Sequence, residues 1–222
     1  MLESIRKMWR IPDLRNKILY TLGMLLLFRL VGVIPAPGVD AAKVLSSKAS
    51  DLPLLQLVNV MTGSNFANMT IMAMGITPYI NASIIMQLLT IAIPALERMQ
   101  KDEEGGREKI ARITRYVTVG LAAVQAIGLV ASMGFIKSGW YNYALVGISM
   151  AGGSALAMWI GERITEKGVG NGISMLIMAG ILSNLFNGIV SGFTNASANG
   201  TSSGWLNLLV IAVMFVIMVI VV

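Results

Sequence analysis

Cysteine and histidine are both absent from the 222 residues, and only 13% of the chain is charged. Without cysteine there is no disulfide framework and no thiol nucleophile. Without histidine there is no imidazole acid–base chemistry, and most zinc ligand sets are excluded. A soluble domain carries roughly 25% charged residues; here 55% are hydrophobic and the mean hydropathy is +0.73. One soluble core of this size cannot hide that much apolar surface. Lipid is therefore the expected solvent, and a hydrolase is not expected. The seventeen Lys+Arg and eleven Asp+Glu give +6, but in a membrane protein the placement of charge carries more information than its sum.

Apolar runs near 20 residues predict six spans, at residues 18–34, 71–96, 116–136, 141–161, 173–193 and 205–222. The second is interrupted by Pro78 and Pro94, and the last stops in V-I-V-V, which reads as a truncation. Thirteen cationic residues fall in the N-terminal tail (1–17) and in the loops 97–115 and 162–172; only Lys43, Lys48 and Lys137 fall on the other side. That bias puts the N-terminus in the cytoplasm. The first run lacks an A-x-A site and leads into P-A-P-G, so no cleavable signal peptide is read. Residues 1–17 place Leu2, Ile5, Met8 and Trp9 at helical spacing among basic residues. They read as an amphipathic helix on an anionic leaflet, with a disordered basic tail as the alternative.

Small residues recur four apart at Gly153, Ala157 and Gly161, and Gly180, Gly188 and Gly192 keep a common helical phase. Such faces let membrane helices approach closely and carry little functional information. Residues 54–74 are rich in Met, Asn and Gly. The run 64–74 would reach only about 16 Å as a helix, too short to span. It fits a re-entrant helix buried in protein, or equally an outer amphipathic loop helix. Ile76 and Ile80 share a helical face, as do Ile173 and Ile177, but such pairs are usually lipid-facing or core. The loop 97–115 packs six cationic and five anionic residues around Gly105-Gly106, a solvated face or a docking surface. Arg29 lies within the first span, about 7.5 Å from its outer end; it is a functional candidate, with snorkelling to the surface the favoured reading.

Five motifs then occur in order: I-P-A-P-G-V-D (34–40), G-I-T-P-Y-I-N-A-S-I-I-M-Q-L-L (75–89), G-G-R-E-K-I-A-R-I-T-R-Y (105–116), M-W-I-G-E (158–162) and I-T-E-K-G-V-G-N-G-I-S (164–174). Together they resemble the bacterial SecY family, the channel subunit of the protein-translocation complex. The resemblance covers essentially the whole chain but only part of the family pattern of ten spans in two inverted five-span halves.

The resemblance implies an all-α polytopic membrane protein, one half of an inverted-repeat channel plus most of a sixth span. It divides the outer stretch into a loop (35–57) and a plug helix region (58–74), with the second span at 75–96. Ile76, Ile80, Ile173 and Ile177 match pore-ring positions. Ser64, Asn65, Phe66, Met69 and Met72 fall in the plug. Gln125 matches a lateral-gate position, with Asn81, Ser83 and Gln87 as further gate candidates. Arg107, Lys109 and Arg112 are candidates for docking cytoplasmic partners. Implied partners are the SecE and SecG subunits, the SecA ATPase, the ribosome, signal peptides, nascent polypeptides and lipid, with pairing of two half-channels as a further arrangement. No cofactor, metal or catalytic residue is implied, and the expected location is the bacterial plasma membrane. The competing class is half of an inverted-repeat secondary transporter, but spans two, three and five contain no acid to hold a coupling ion.

Overall fold

The computed structural model describes residues 12–40, 59–101, 105–132, 134 and 139–199. The expected N-terminal amphipathic helix therefore lies almost wholly outside the described residues, as do most of the outer loop and the last span. The chain divides into two compact units, residues 1–180 and 181–222. The first holds α1 (Pro12–Val31), α2 (Thr77–Ala92), α3 (Pro94–Lys101), α4 (Gly106–Ser132), α5 (Trp140–Lys167) and the start of α6 (Gly172–Asn199). The second is described only as the continuation of α6. Apart from an isolated antiparallel bridge between Pro35 and Thr70, the described elements are helical.

Proline sets both ends of α2. Pro78 sits in its first turn, where its missing N–H is no loss. Ile93 precedes Pro94 and is driven into extended backbone (φ −110°, ψ 110°). The chain bends there by 102° into α3. On α3, Leu96 and Met99 are half-buried while Arg98 and Lys101 are exposed, and Lys101 reaches Glu97 at 2.6 Å. That ammonium holds the Glu97 carboxyl below its ordinary range.

The charged stretch 97–115, read from sequence as a loop, is largely helical. It is shared between α3 and the first turns of α4, whose Glu, Lys and Arg residues are good helix formers.

At 27 and 28 residues, α4 and α5 each extend about 40 Å, beyond a hydrocarbon core of about 30 Å. Among the described residues, 108–132 and 140–167 are long and apolar enough to cross a membrane, and α2 with α3 makes a third if the bent pair is one span. α5 is the central element. Its upper part packs Val146 and Met150 with Ala126 and Val130 of α4; its lower part packs Ala157, Ile160 and Ile164 with Phe28 of α1 and Leu176 of α6. Lipid tails are as apolar as these side chains, so the association rests on close packing and hydrogen bonds.

Candidate pore collar and the loop that meets it

Four isoleucines start two helices. Ile76 is the residue before α2, and Ile80 lies one turn on. The start of α6 is capped by Asn171, whose Oδ1 accepts from the N–H of Ile173 at 3.0 Å and of Ser174 at 3.4 Å. Ile177 lies one turn after Ile173. Ile76, Ile80 and Ile177 line one small, partly open cavity of about 10 Å³ together with Phe28, Leu176, Met61 and Thr62. That volume is at the lower limit for one water. Ile173 does not line this cavity but packs in the same apolar cluster as Ile76 and Ile80.

The loop that meets these isoleucines is not the continuous helix read from its sequence. Residues 59–62 form one helical turn and 63–76 follow as turns. Gly63 (φ 69°), Ser64 (φ 70°) and Met69 (φ 46°) adopt left-handed backbone, which a right-handed helix cannot contain. Side chains and strand-like bonds hold the path instead. Asn59 Oδ1 accepts from Ala67 N–H at 2.9 Å, and Thr62 Oγ1 accepts from Phe66 N–H at 3.3 Å. Ala36 N–H donates to Met69 C=O and Ile71 N–H to Ile34 C=O, both at 3.0 Å.

The five plug candidates are placed differently. Phe66 and Met69 pack against α4 and α5, and Met72 packs with Ile76. Asn65 is buried and Ser64 half-buried. The Nδ2 of Asn65 has no hydrogen-bond partner among the described residues.

Arg29 does not snorkel. Its guanidinium turns inward, donating from Nη1 to Gly63 C=O at 3.1 Å and from Nη2 to Ala179 C=O at 2.8 Å. Both acceptors are main-chain groups far along the chain, so nothing in the local sequence marks them. Phe28 and Leu176, which line the cavity beside these isoleucines, carry no sequence pattern that separates them from core.

Of the gate candidates, Ser83 and Gln87 come together, one turn apart on α2. Their contact is marginal at 3.5 Å. Both line a crevice of about 350 Å³, with Tyr79 and Thr90 of α2, Thr114 of α4 and Glu162 of α5. Asn81 and Gln125 are half-buried and do not line it. Glu162 is fixed by Arg115 Nε at 2.8 Å. Lys109 and Arg112 are exposed on the first turns of α4, while the Arg107 side chain lies outside the described residues.

A bundle of long apolar helices, with a turn-rich loop packed against it and aliphatic side chains lining a small cavity, defines a polytopic membrane fold. At the level of fold, the chain superposes on Sec61 of the canine ribosome–channel complex from the endoplasmic reticulum with a TM-score of 0.65 at 24% identity, covering 84% of this chain and 42% of that one. It superposes on a structure described in terms of the SecY plug domain and the closed translocation channel with a TM-score of 0.60 at 23% identity, covering 84% and 41%. The SecY family pattern matches residues 70–222, and the chain belongs to the SecY family. It is 43% identical over 187 residues to protein translocase subunit SecY of Pyrenomonas salina, covering 83% of this chain and 45% of that protein. To the subunit of Bacillus subtilis it is 42% identical over 195 residues, covering 83% and 44%. The chain thus spans about half the length of these relatives.

Proposed function

We propose that this chain provides the N-terminal half of a protein-conducting channel, with a sixth apolar span following it. Unfolded secretory polypeptides pass along it across the bacterial plasma membrane, and hydrophobic segments leave sideways into lipid. The observation that carries this reading is the convergence of Ile76, Ile80 and Ile177 on a water-sized cavity that Met61 and Thr62 of the preceding segment also line. A collar of branched apolar side chains disfavours a continuous water column and gates by dewetting. It offers no charge or fixed hydrogen bond to a passing chain, and so can fit around many side chains. Ile173 completes the collar, and the loop containing Ser64, Asn65, Phe66, Met69 and Met72 is the plug.

Asn81, Ser83 and Gln87 on α2 and Gln125 on α4 face the lateral exit. The six spans centre on the apolar runs, the second beginning only at 75, with the N-terminus cytoplasmic. Arg107, Lys109 and Arg112 then lie on the cytoplasmic side, where SecA or a ribosome docks and supplies the driving energy. SecE and SecG are the small partner subunits. The chain is a path and not an enzyme.

The test is ion conductance of the reconstituted channel complex. Replacing Ile76, Ile80, Ile173 and Ile177 with Gly should raise resting conductance. Unchanged conductance would remove the collar assignment.

A further inference from the structure

Three cavity-lining elements meet at one guanidinium. Phe28, which lines the collar cavity, immediately precedes Arg29; Thr62, on the opposite wall, immediately precedes Gly63; and Ile177 lies two residues before Ala179. The junction is tight. A Cβ on Gly63 would lie 2.5 Å from Arg29 Nη1, and Gly180 rests directly on the Met61 carbonyl. The loop is pinched at its base, since Gly63 (φ 69°) opens it and Gly75 (φ 51°) closes it. Both glycines adjoin the same helical turn, Gly75 through Thr62.

We infer that Arg29 is a latch coupling the collar to the plug loop, an inference that rests on the channel reading above. The guanidinium is a rigid planar fork, and its two acceptors sit on different elements. One is the first hinge of the loop; the other is the α6 turn that carries Ile177. Widening the collar moves α6 away from α1 and parts the fork from Ala179 or Gly63. The half-buried charge then loses an acceptor in a place where few others exist. Holding the collar shut and holding the loop down become one event. Arg29 is thus a positioning residue, acting on the seal through main-chain carbonyls and touching no translocating chain.

The test uses the assembled channel complex in planar bilayers. Arg29→Met keeps length and apolar bulk but removes the fork, and should raise resting conductance roughly tenfold, as expected for losing charge-assisted bonds. Arg29→Lys, with charge but no fork, should fall between. A tether separates release of the loop from misfolding. Pro35 and Thr70 face each other as the non-hydrogen-bonded pair of their bridge, with a Cα separation of about 4.5 Å, within disulfide range. Pro35→Cys with Thr70→Cys, in a chain otherwise free of cysteine, should abolish the Arg29→Met leak when oxidised and restore it when reduced. Unchanged conductance in Arg29→Met, or a leak that oxidation leaves in place, overturns the latch. Transport of a signal-bearing polypeptide by the wild-type complex is measured alongside. If wild type transports and Arg29→Met does not leak, only the latch falls; if wild type does not transport, the channel reading falls and takes the latch with it.

Discussion

Gly153 of α5 lies directly against the carbonyl oxygen of Ile71, closer than a Cβ would permit. The small residue at this position serves the loop's backbone and not another helix. The loop is thereby seated on the bundle by main-chain contact at one point and by Phe66, Met69 and Met72 around it.

Gly153→Ala should unseat this contact. The added methyl meets rigid backbone, so the overpacking penalty should be about 1–3 kcal/mol. Gly152→Ala, one residue away with open space around it, is the control and should be near neutral. Thermal unfolding of the detergent-solubilised complex checks both; equal shifts for the two variants would refute the contact.

Asn65 and Phe66 are adjacent and should respond in opposite ways. Phe66 is 2% exposed within the apolar cluster, and Phe66→Ala should weaken loop seating by about 3–5 kcal/mol. Asn65 is buried with an amide nitrogen that finds no partner among the described residues. An orphaned buried donor costs about 1–3 kcal/mol, so Asn65→Ala should leave seating unchanged or tighten it. Thiol-labelling rates of a cysteine placed at Met69 report seating. Faster labelling in Asn65→Ala than in the parent would contradict the expectation.

Thr21 ties α1 to the turn before α6. Its buried hydroxyl donates to Lys17 C=O at 2.9 Å and accepts from Val169 N–H at 3.1 Å. Thr21→Val preserves shape but removes the acceptor of the part-exposed Val169 N–H, a loss of about 0.5–1.5 kcal/mol. Hydrogen exchange at residues 168–171 should accelerate, while exchange in the middle of α4 should not change.

How much of this was legible follows the range of each interaction. The apolar runs at 116–136, 141–161 and 173–193 read as helices because burial in lipid or core demands twenty apolar residues whatever their partners. Pro94 announced the break after α2 through its effect on Ile93, a purely local constraint. The helical reading of residues 64–74 did not hold. The G-S-N run at 63–65 carries turn chemistry that outweighs the apolar content, and the left-handed Met69 is supported by pairing with residues 34–36, by its bond to Phe66 C=O and by its apolar cluster. The i,i+4 isoleucine pairs declared a shared face, but spacing cannot say what a face meets; resemblance to a family singled them out. Arg29 was misread as snorkelling because its acceptors are 34 and 150 residues away, and carbonyls leave no trace in side-chain pattern.

The bend at Ile93 has a consequence for depth. With α2 upright in a bilayer, a turn of 102° lays α3 nearly flat along the surface, where its exposed Arg98 and Lys101 can reach water. A helix floating on the interface resists being pulled through it in either direction. α2 is thus moored at one end, and Ile76 and Ile80 hang from that mooring at a distance set by the helical rise, roughly 20–25 Å. With α2 held in this way, Ile76 and Ile80 stay at one level in the bilayer.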